Sequence, residues 1–333
     1  MPSTTRTPPS LRSLTPVVWT LLVLMALTIG RAAVSQNTNF IDLKKYSELK
    51  EQSPFQNRIL MAYVLRAATH NAIFLRVYNT LFIKTVDTPE NLVIILTDCI
   101  CLVLLLPITV ALRRHFRPAP PTTWFTPLLM LLVVAFTYVV RYEQRFTMPY
   151  DFLSLLLYNV GLLAVIARRP WWMLAILAIA TPNRETVVFL VFVWFWLEWR
   201  AGRRASAVLF SGIGAAICLA WRIAIGTLIH SPHQPYFLPW DNNIKGILLP
   251  LHWPQLFSAF GYLAIPIWML RGTIQDERLK EVWKATVPFI VGALVVGVWR
   301  ETRIFGELSP LVAITFAIQV EQLLRQSAPA TAA

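Results

Sequence analysis

Apolar runs, each bounded by basic or polar residues, recur from Pro16 to the late stretch "LVAITFAIQV", and this alternation restricts the fold more than anything else in the chain. A run of about 20 apolar residues can cross a bilayer as a helix, which satisfies its own backbone polar groups where no water is present. Such runs fall at 16–30, 91–112, 122–140, 151–167, 171–182, 186–199, 205–228, 254–270, 285–299 and 310–324. The expected fold is all-α: a polytopic integral membrane protein with about ten transmembrane segments, some of them short broken hairpins, forming one domain over 1–333. A composition 56% hydrophobic and 14% charged agrees with that class.

A net charge of +13 would suggest nucleic acid in a soluble chain. Here the basic clusters "RRHFR", "ARRP", "WRAGRR" and "RGTIQDERLKEVWK" all fall on one side of the expected spans. The positive-inside rule accounts for them, so membrane lipid is the expected partner and nucleic acid is not. Both termini are then cytoplasmic, in an inner (cytoplasmic) membrane if the chain is bacterial. The first run follows Arg6 and Arg12 and precedes "AAVSQ", which also reads as a cleavage site. Under either reading the chain next emerges on the outer side.

The segment 35–90 is the first extracytoplasmic loop, and from Arg58 its apolar residues take helical spacing, which predicts amphipathic helices at the interface. A second outer loop, 229–253, is rich in aromatic residues and proline, with Trp240 and Trp253 as interfacial anchors. Its His230 and His233 are too few for a metal centre by themselves. Cys99, Cys101 and Cys218 show neither disulfide nor metal spacing. No Walker loop, dinucleotide fingerprint, HExxH or GxSxG pattern occurs.

Ionisable residues inside apolar stretches are costly and point to function or to pairing. "AIATPNRETVVFLVFV" holds Asn183, Arg184 and Glu185 between two apolar arms that both end in cytoplasmic arginines. The arms are too short for full spans, so the turn is expected within the membrane, against protein or a wet cavity. Thr181 and Pro182 would start the returning helix, whose free N–H groups would sit beside Arg184 as a phosphate site. Near the C-terminus, "VGVWRETRIFGELSP" repeats the pattern, with Arg300, Arg303 and Glu307 on one helical face and Glu301 turned aside.

Asp42 and Tyr46 follow the first run on the outer side. Asp151 opens the fourth run, and Ser154, Tyr158 and Asn159 continue a polar stripe along it. Arg222 lies toward the outer end of its run and Asp98 lies mid-span, where a neighbouring helix is the expected partner.

The short first span, the loop "FIDLKKYSELKEQSPFQNRIL", the "NRET" turn and the late "ETRIFGELSP" together resemble the bacterial membrane proteins grouped as GT-C-type glycosyltransferases. The resemblance is one of layout over most of the chain, with short motifs. It implies sugar transfer from a polyprenyl-phosphate-type donor to an acceptor at the extracytoplasmic face. It implies Asp42 as catalytic base and Arg184 and Arg303 neutralising the departing lipid phosphate; Tyr46, Asn183 and Arg222 are further candidate substrate or lipid-phosphate contacts by their place in the chain. Glu185, Asp151 and Glu301 would orient hydroxyls or fix the arginines. Many such enzymes pair two acids in the first loop, whereas Asp42 is followed by Leu43, which makes Asp151 the second candidate base. No cofactor is demanded, and a divalent metal is compatible with the reaction. A transporter or flippase of an anionic or lipid-linked solute, and a non-catalytic assembly protein, are the alternatives that the same charges allow.

Overall fold

The computed structural model describes residues 11–52, 55–116, 124–140, 146–229, 240–299 and 301–327. His230, His233 and Arg300 lie outside them. The chain is all-α. Its helices are α1 Leu11–Ser35, α2 Leu43–Ser47, α3 Ile59–Thr69, α4 Ala72–Val77, α5 Pro89–Arg114, α6 Phe125–Tyr138, α7 Asp151–Ile166 and α8 Pro170–Ala180. They continue as α9 Phe189–Arg200, α10 Arg204–Leu228, α11 Trp240–Leu248, α12 Trp253–Phe257, α13 Ala264–Met269, α14 Glu277–Val296 and α15 Ser309–Ser327. A parallel bridge between β1 Thr38–Asn39 and β2 Phe146–Thr147 ties the end of α1 to the approach to α7.

Among the described residues, four helical stretches are long and apolar enough to cross a membrane: Thr15–Ser35, Pro89–Arg114, Arg204–Leu228 and Thr302–Ser327. Their outward faces are oily. Leu96, Ile100 and Leu104 on α5, and Val208, Leu209, Leu219 and Ile223 on α10, are all exposed. Such stripes on long helices suit lipid rather than water, so the chain is membrane-embedded in character. The ten expected spans are not all of spanning length, because α6, α7, α8 and α9 are shorter.

Two apolar clusters fill the bundle. One joins α7, α8, α9, α14 and α15 around Leu162, Leu177, Leu190, Phe289 and Ile314. The other joins α1, α5, α6 and α15 around Ala26, Leu102, Met130 and Ala317. The segment between α1 and α5 folds into the short helices α2, α3 and α4. Met61, Ala62 and Leu65 of α3 pack on Val93 and Ile94 of α5, while Ile73 and Leu81 remain exposed.

The basic cluster at the end of α5 is not wholly solvated. Arg113 is buried, donates to Thr126 and pairs with Glu321 of α15. Arg113→Ala would strand the glutamate, and we expect a loss of about 3 kcal/mol in stability. Thermal melts in detergent check this: Arg113→Met combined with Glu321→Leu should recover most of the loss.

Candidate functional site

Side chains from four separated stretches meet at one end of the bundle, where α7 begins and the α8–α9 hairpin turns. Arg184 Nη1 lies 3.4 Å from Asp151 Oδ1 and 3.0 Å from Glu307 Oε1. Arg303 Nη1 lies 3.2 Å from Asp151 Oδ2, and its Nη2 lies 2.7 Å from Glu301 Oε2. Arg58 grips Glu185 with two bonds, Nη2 to Oε1 at 2.7 Å and Nε to Oε2 at 3.1 Å. It also donates to the Tyr150 hydroxyl and stacks over the Tyr150 ring. Asp151 thus bridges two guanidinium groups, and three arginines face four carboxylates.

Local structure explains the positions. Asp151 occupies the first turn of α7, where a carboxylate complements the helix dipole. Along α7, Ser154 donates to Glu307 Oε1 at 3.2 Å and Asn159 donates to the Glu307 carbonyl at 2.9 Å. The polar stripe therefore serves the segment Thr302–Leu308, a 3-10 helix leading into α15. Thr186 adds a bond to Glu307 Oε1 at 2.9 Å.

The hairpin turn is built differently from the expectation. Thr181 and Pro182 end the outgoing arm instead of starting the returning one. The Thr181 hydroxyl donates to the Leu177 carbonyl at 2.6 Å, and the Asn183 and Arg184 N–H groups both donate to Ala180 O. The returning 3-10 turn begins at Glu185, after Arg184 in extended conformation without a side-chain cap. Pro182 O accepts from Leu60 N at 3.1 Å and Asn183 donates to Tyr150 O at 3.1 Å, which pins the turn to α3 and α7. Glu301 is likewise not turned aside, since it pairs with Arg303.

Burial separates the carboxylates into two kinds. The side chains of Asp151 and Glu307 are 4% and 0% exposed, so they serve to hold arginines that would otherwise be uncompensated. Those of Glu185 and Glu301 are 56% and 22% exposed and border cavities. One cavity of about 340 Å³ is lined by Arg58, Arg184 and Glu185, and by apolar Val188, Phe189, Phe289 and Val296 between α9 and α14. Its floor is shaped by Gly292, where a Cβ would stand 2.7 Å from the Phe189 ring. The other, about 200 Å³, is lined by Phe40, Phe55, Phe146, Glu301 and Arg303. Arg58, Arg184 and Ile304 border both, so the two spaces adjoin across the guanidinium pair. Arg184 Nε is buried and has no hydrogen-bond partner among the described residues, which leaves one donor uncommitted.

Of the residues expected at the site, Asp151, Asn183, Arg184, Glu185, Glu301 and Arg303 are brought together. Asp42 is not. Its carboxylate caps α2, accepting from Lys44 N at 3.0 Å and Lys45 N at 3.1 Å, and it borders neither cavity. Tyr46 is fully buried, which pushes its phenol up and keeps it a donor. Its hydroxyl binds the Arg58 carbonyl, so it acts through Arg58. Arg222 stands on an exposed face of α10, away from both cavities. Both oxygens of Asp98 lack a hydrogen-bond partner among the described residues, so no neighbouring helix receives them.

Arg58, Tyr150 and the pairing role of Glu307 were not foreseen. Only Tyr150 carried a signal, as the neighbour of Asp151. Among the described residues, no three His, Cys, Asp or Glu side chains stand close enough to share a metal ion. The four carboxylates face guanidinium groups instead. No protein-family profile matches the chain, and no curated protein matches it.

Proposed function

We propose that this chain is a membrane glycosyltransferase of the GT-C type. It would move a hexose or pentose from a polyprenyl-phosphate-type donor to an acceptor hydroxyl. The observation that carries the reading is the pair of adjoining cavities, one oily and one of mixed aromatic and charged lining, with Arg58 and Arg184 at their junction. An apolar groove between α9 and α14 suits a lipid tail. Two guanidiniums at its end suit a phosphate, which they bind with planar, charge-assisted forks. The mixed space beyond, with its aromatic edges, Glu301 and Arg303, suits the sugar and the incoming hydroxyl.

In this scheme the acceptor oxygen attacks the anomeric carbon and the bond from that carbon to the phosphate oxygen breaks. The electron pair leaves on the phosphate, where Arg58 and Arg184 stabilise the developing charge. The acceptor proton passes to Glu301, the one carboxylate of the cluster that borders the mixed cavity. Asp151 and Glu307 keep the arginines in place. We also propose that the shorter helices lie within the bilayer, and that the site faces away from the cytoplasm of a bacterial inner membrane. Arg168, Arg200, Arg203 and Arg278 flank helix ends on the opposite side, as an inward-facing end requires.

The test is transfer from a radiolabelled polyprenyl-phosphate sugar by the full chain in nanodiscs, read as release of polyprenyl phosphate. Glu301→Gln is expected to lower the rate by about 10²–10⁴-fold, while Asp42→Asn should leave it within about twofold, since Asp42 is a helix cap. The reverse order would return the base to Asp42. Absence of release by the unaltered chain with every polyprenyl-phosphate sugar offered would reject the transferase reading.

A further inference from the structure

A third cavity, about 330 Å³, lies at the end of the bundle opposite the charge cluster, between the junctions of α7 with α8 and α9 with α10 and the start of α14. Arg168, Arg200, Arg203 and Arg278 line it together with Glu198, Glu277 and Glu281. The glutamates are already engaged. Glu198 takes two bonds from Arg203, Glu277 pairs with Lys280, and Glu281 pairs with Arg200 and Lys284. That leaves Arg168 and Arg278, neither of which forms an ion pair among the described residues. Arg278 donates to the Ile166 carbonyl, beside the turn that carries Arg168. Burial, and then the like charge of Arg168, pull Arg278 below the ordinary guanidinium range.

The φ of +57° at Arg168 belongs to the left-handed turn that closes α7, where Arg169 N donates to Ala164 O at 2.8 Å. A further observation places this end at the surface of a bilayer. Trp171, Trp172 and Trp199 are exposed around this end at 70%, 67% and 43%, and the Arg204 guanidinium lies over the Trp199 ring. Exposed tryptophans with arginines mark the headgroup level of a bilayer. Glu198 and Asp276 lie within electrostatic reach of Arg168 and Arg278, but among the described residues neither arginine has an ion-pair partner, so two like charges at that depth favour an added anion.

We propose that this cavity binds the phosphate headgroup of an anionic phospholipid, with Arg168 and Arg278 as its ligands. Basic pockets between helices at the cytoplasmic leaflet are the usual setting for such headgroups. The site stands apart from the proposed reaction centre, so it does not depend on the transferase reading.

The experiment is native mass spectrometry of the full chain from neutral detergent with equal amounts of phosphatidylglycerol and phosphatidylcholine, with and without millimolar inorganic phosphate. The unaltered chain should retain phosphatidylglycerol in preference. Arg168→Gly with Arg278→Gln should weaken that retention about 25-fold, roughly fivefold for each charge, and Arg168→Gly suits the backbone there. Arg168→Lys with Arg278→Lys should keep most of it. Equal retention of the two lipids, or unchanged retention in the neutral double variant, overturns the proposal. Full displacement by inorganic phosphate also overturns it, in favour of a soluble phosphate ligand. The lipid comparison on the unaltered chain needs no variant, so a misfolded variant leaves the test intact.

Discussion

Arg184→Ala is expected to remove transfer and to cost the fold about 3–5 kcal/mol. Arg184 is the cation shared by Asp151 and Glu307, and Glu307 is wholly buried. Without it, Glu307 keeps, among the described residues, only the hydroxyl donors of Ser154 and Thr186. A buried carboxylate so placed would take up a proton or draw in water, and the segment 302–308 would shift. Structural and chemical losses can be told apart. Arg184→Ala with Glu307→Gln removes the stranded charge and should recover most of the melting temperature in detergent. The double variant should still transfer sugar about 10²–10³-fold more slowly than the unaltered chain, because one phosphate-binding donor group is gone. Recovery of both together would make Arg184 a structural residue only. Arg184→Lys should lie between, since an ammonium cannot bridge two carboxylates with a planar fork.

The second large effect is steric. A Cβ placed on Gly306 would stand 1.8 Å from the Tyr138 hydroxyl oxygen and 2.4 Å from its ring carbon. Tyr138 is itself buried between α5, α6 and α7, so it has little room to turn. Gly306→Ala should therefore push the 3-10 segment away from α6, with a loss of at least about 1–3 kcal/mol. Arg303 and Glu307 ride on that segment, so transfer should fall with stability. Tyr138→Leu in the same chain should restore both. Melting curves and transfer rates on the two single variants and the double variant form the cycle that measures this coupling.

The class of fold was legible in the chain because membrane burial imposes a simple rule on composition and run length. The α8–α9 hairpin was legible for the same reason. Two apolar arms of 11 and 12 residues around "NRET" leave few other arrangements. Asp151, Arg184 and Arg303 stood out because charge at an apolar helix end is expensive. Arg58 did not stand out, since it sits among other basic residues of a polar loop. Its partner Glu185 is 127 positions away, and no local pattern links them. Thr181 and Pro182 misled because a threonine followed by proline is a sound helix-start signal. In this chain the hydroxyl found a closer acceptor in the preceding turn. Asp42 reads as an acid awaiting a proton, whereas in the structure its carboxylate caps the short helix α2.

Glu307 has a further consequence through its place in the chain, immediately ahead of α15. The counter-ions of Arg184 and Arg303 are drawn partly from this late stretch, so the charge lattice closes only once the segment 301–308 is in place. A nascent polypeptide halted earlier would hold Arg184 with Asp151 alone, in a bundle lacking its last wall. A chain without this stretch is therefore expected to present no assembled cleft.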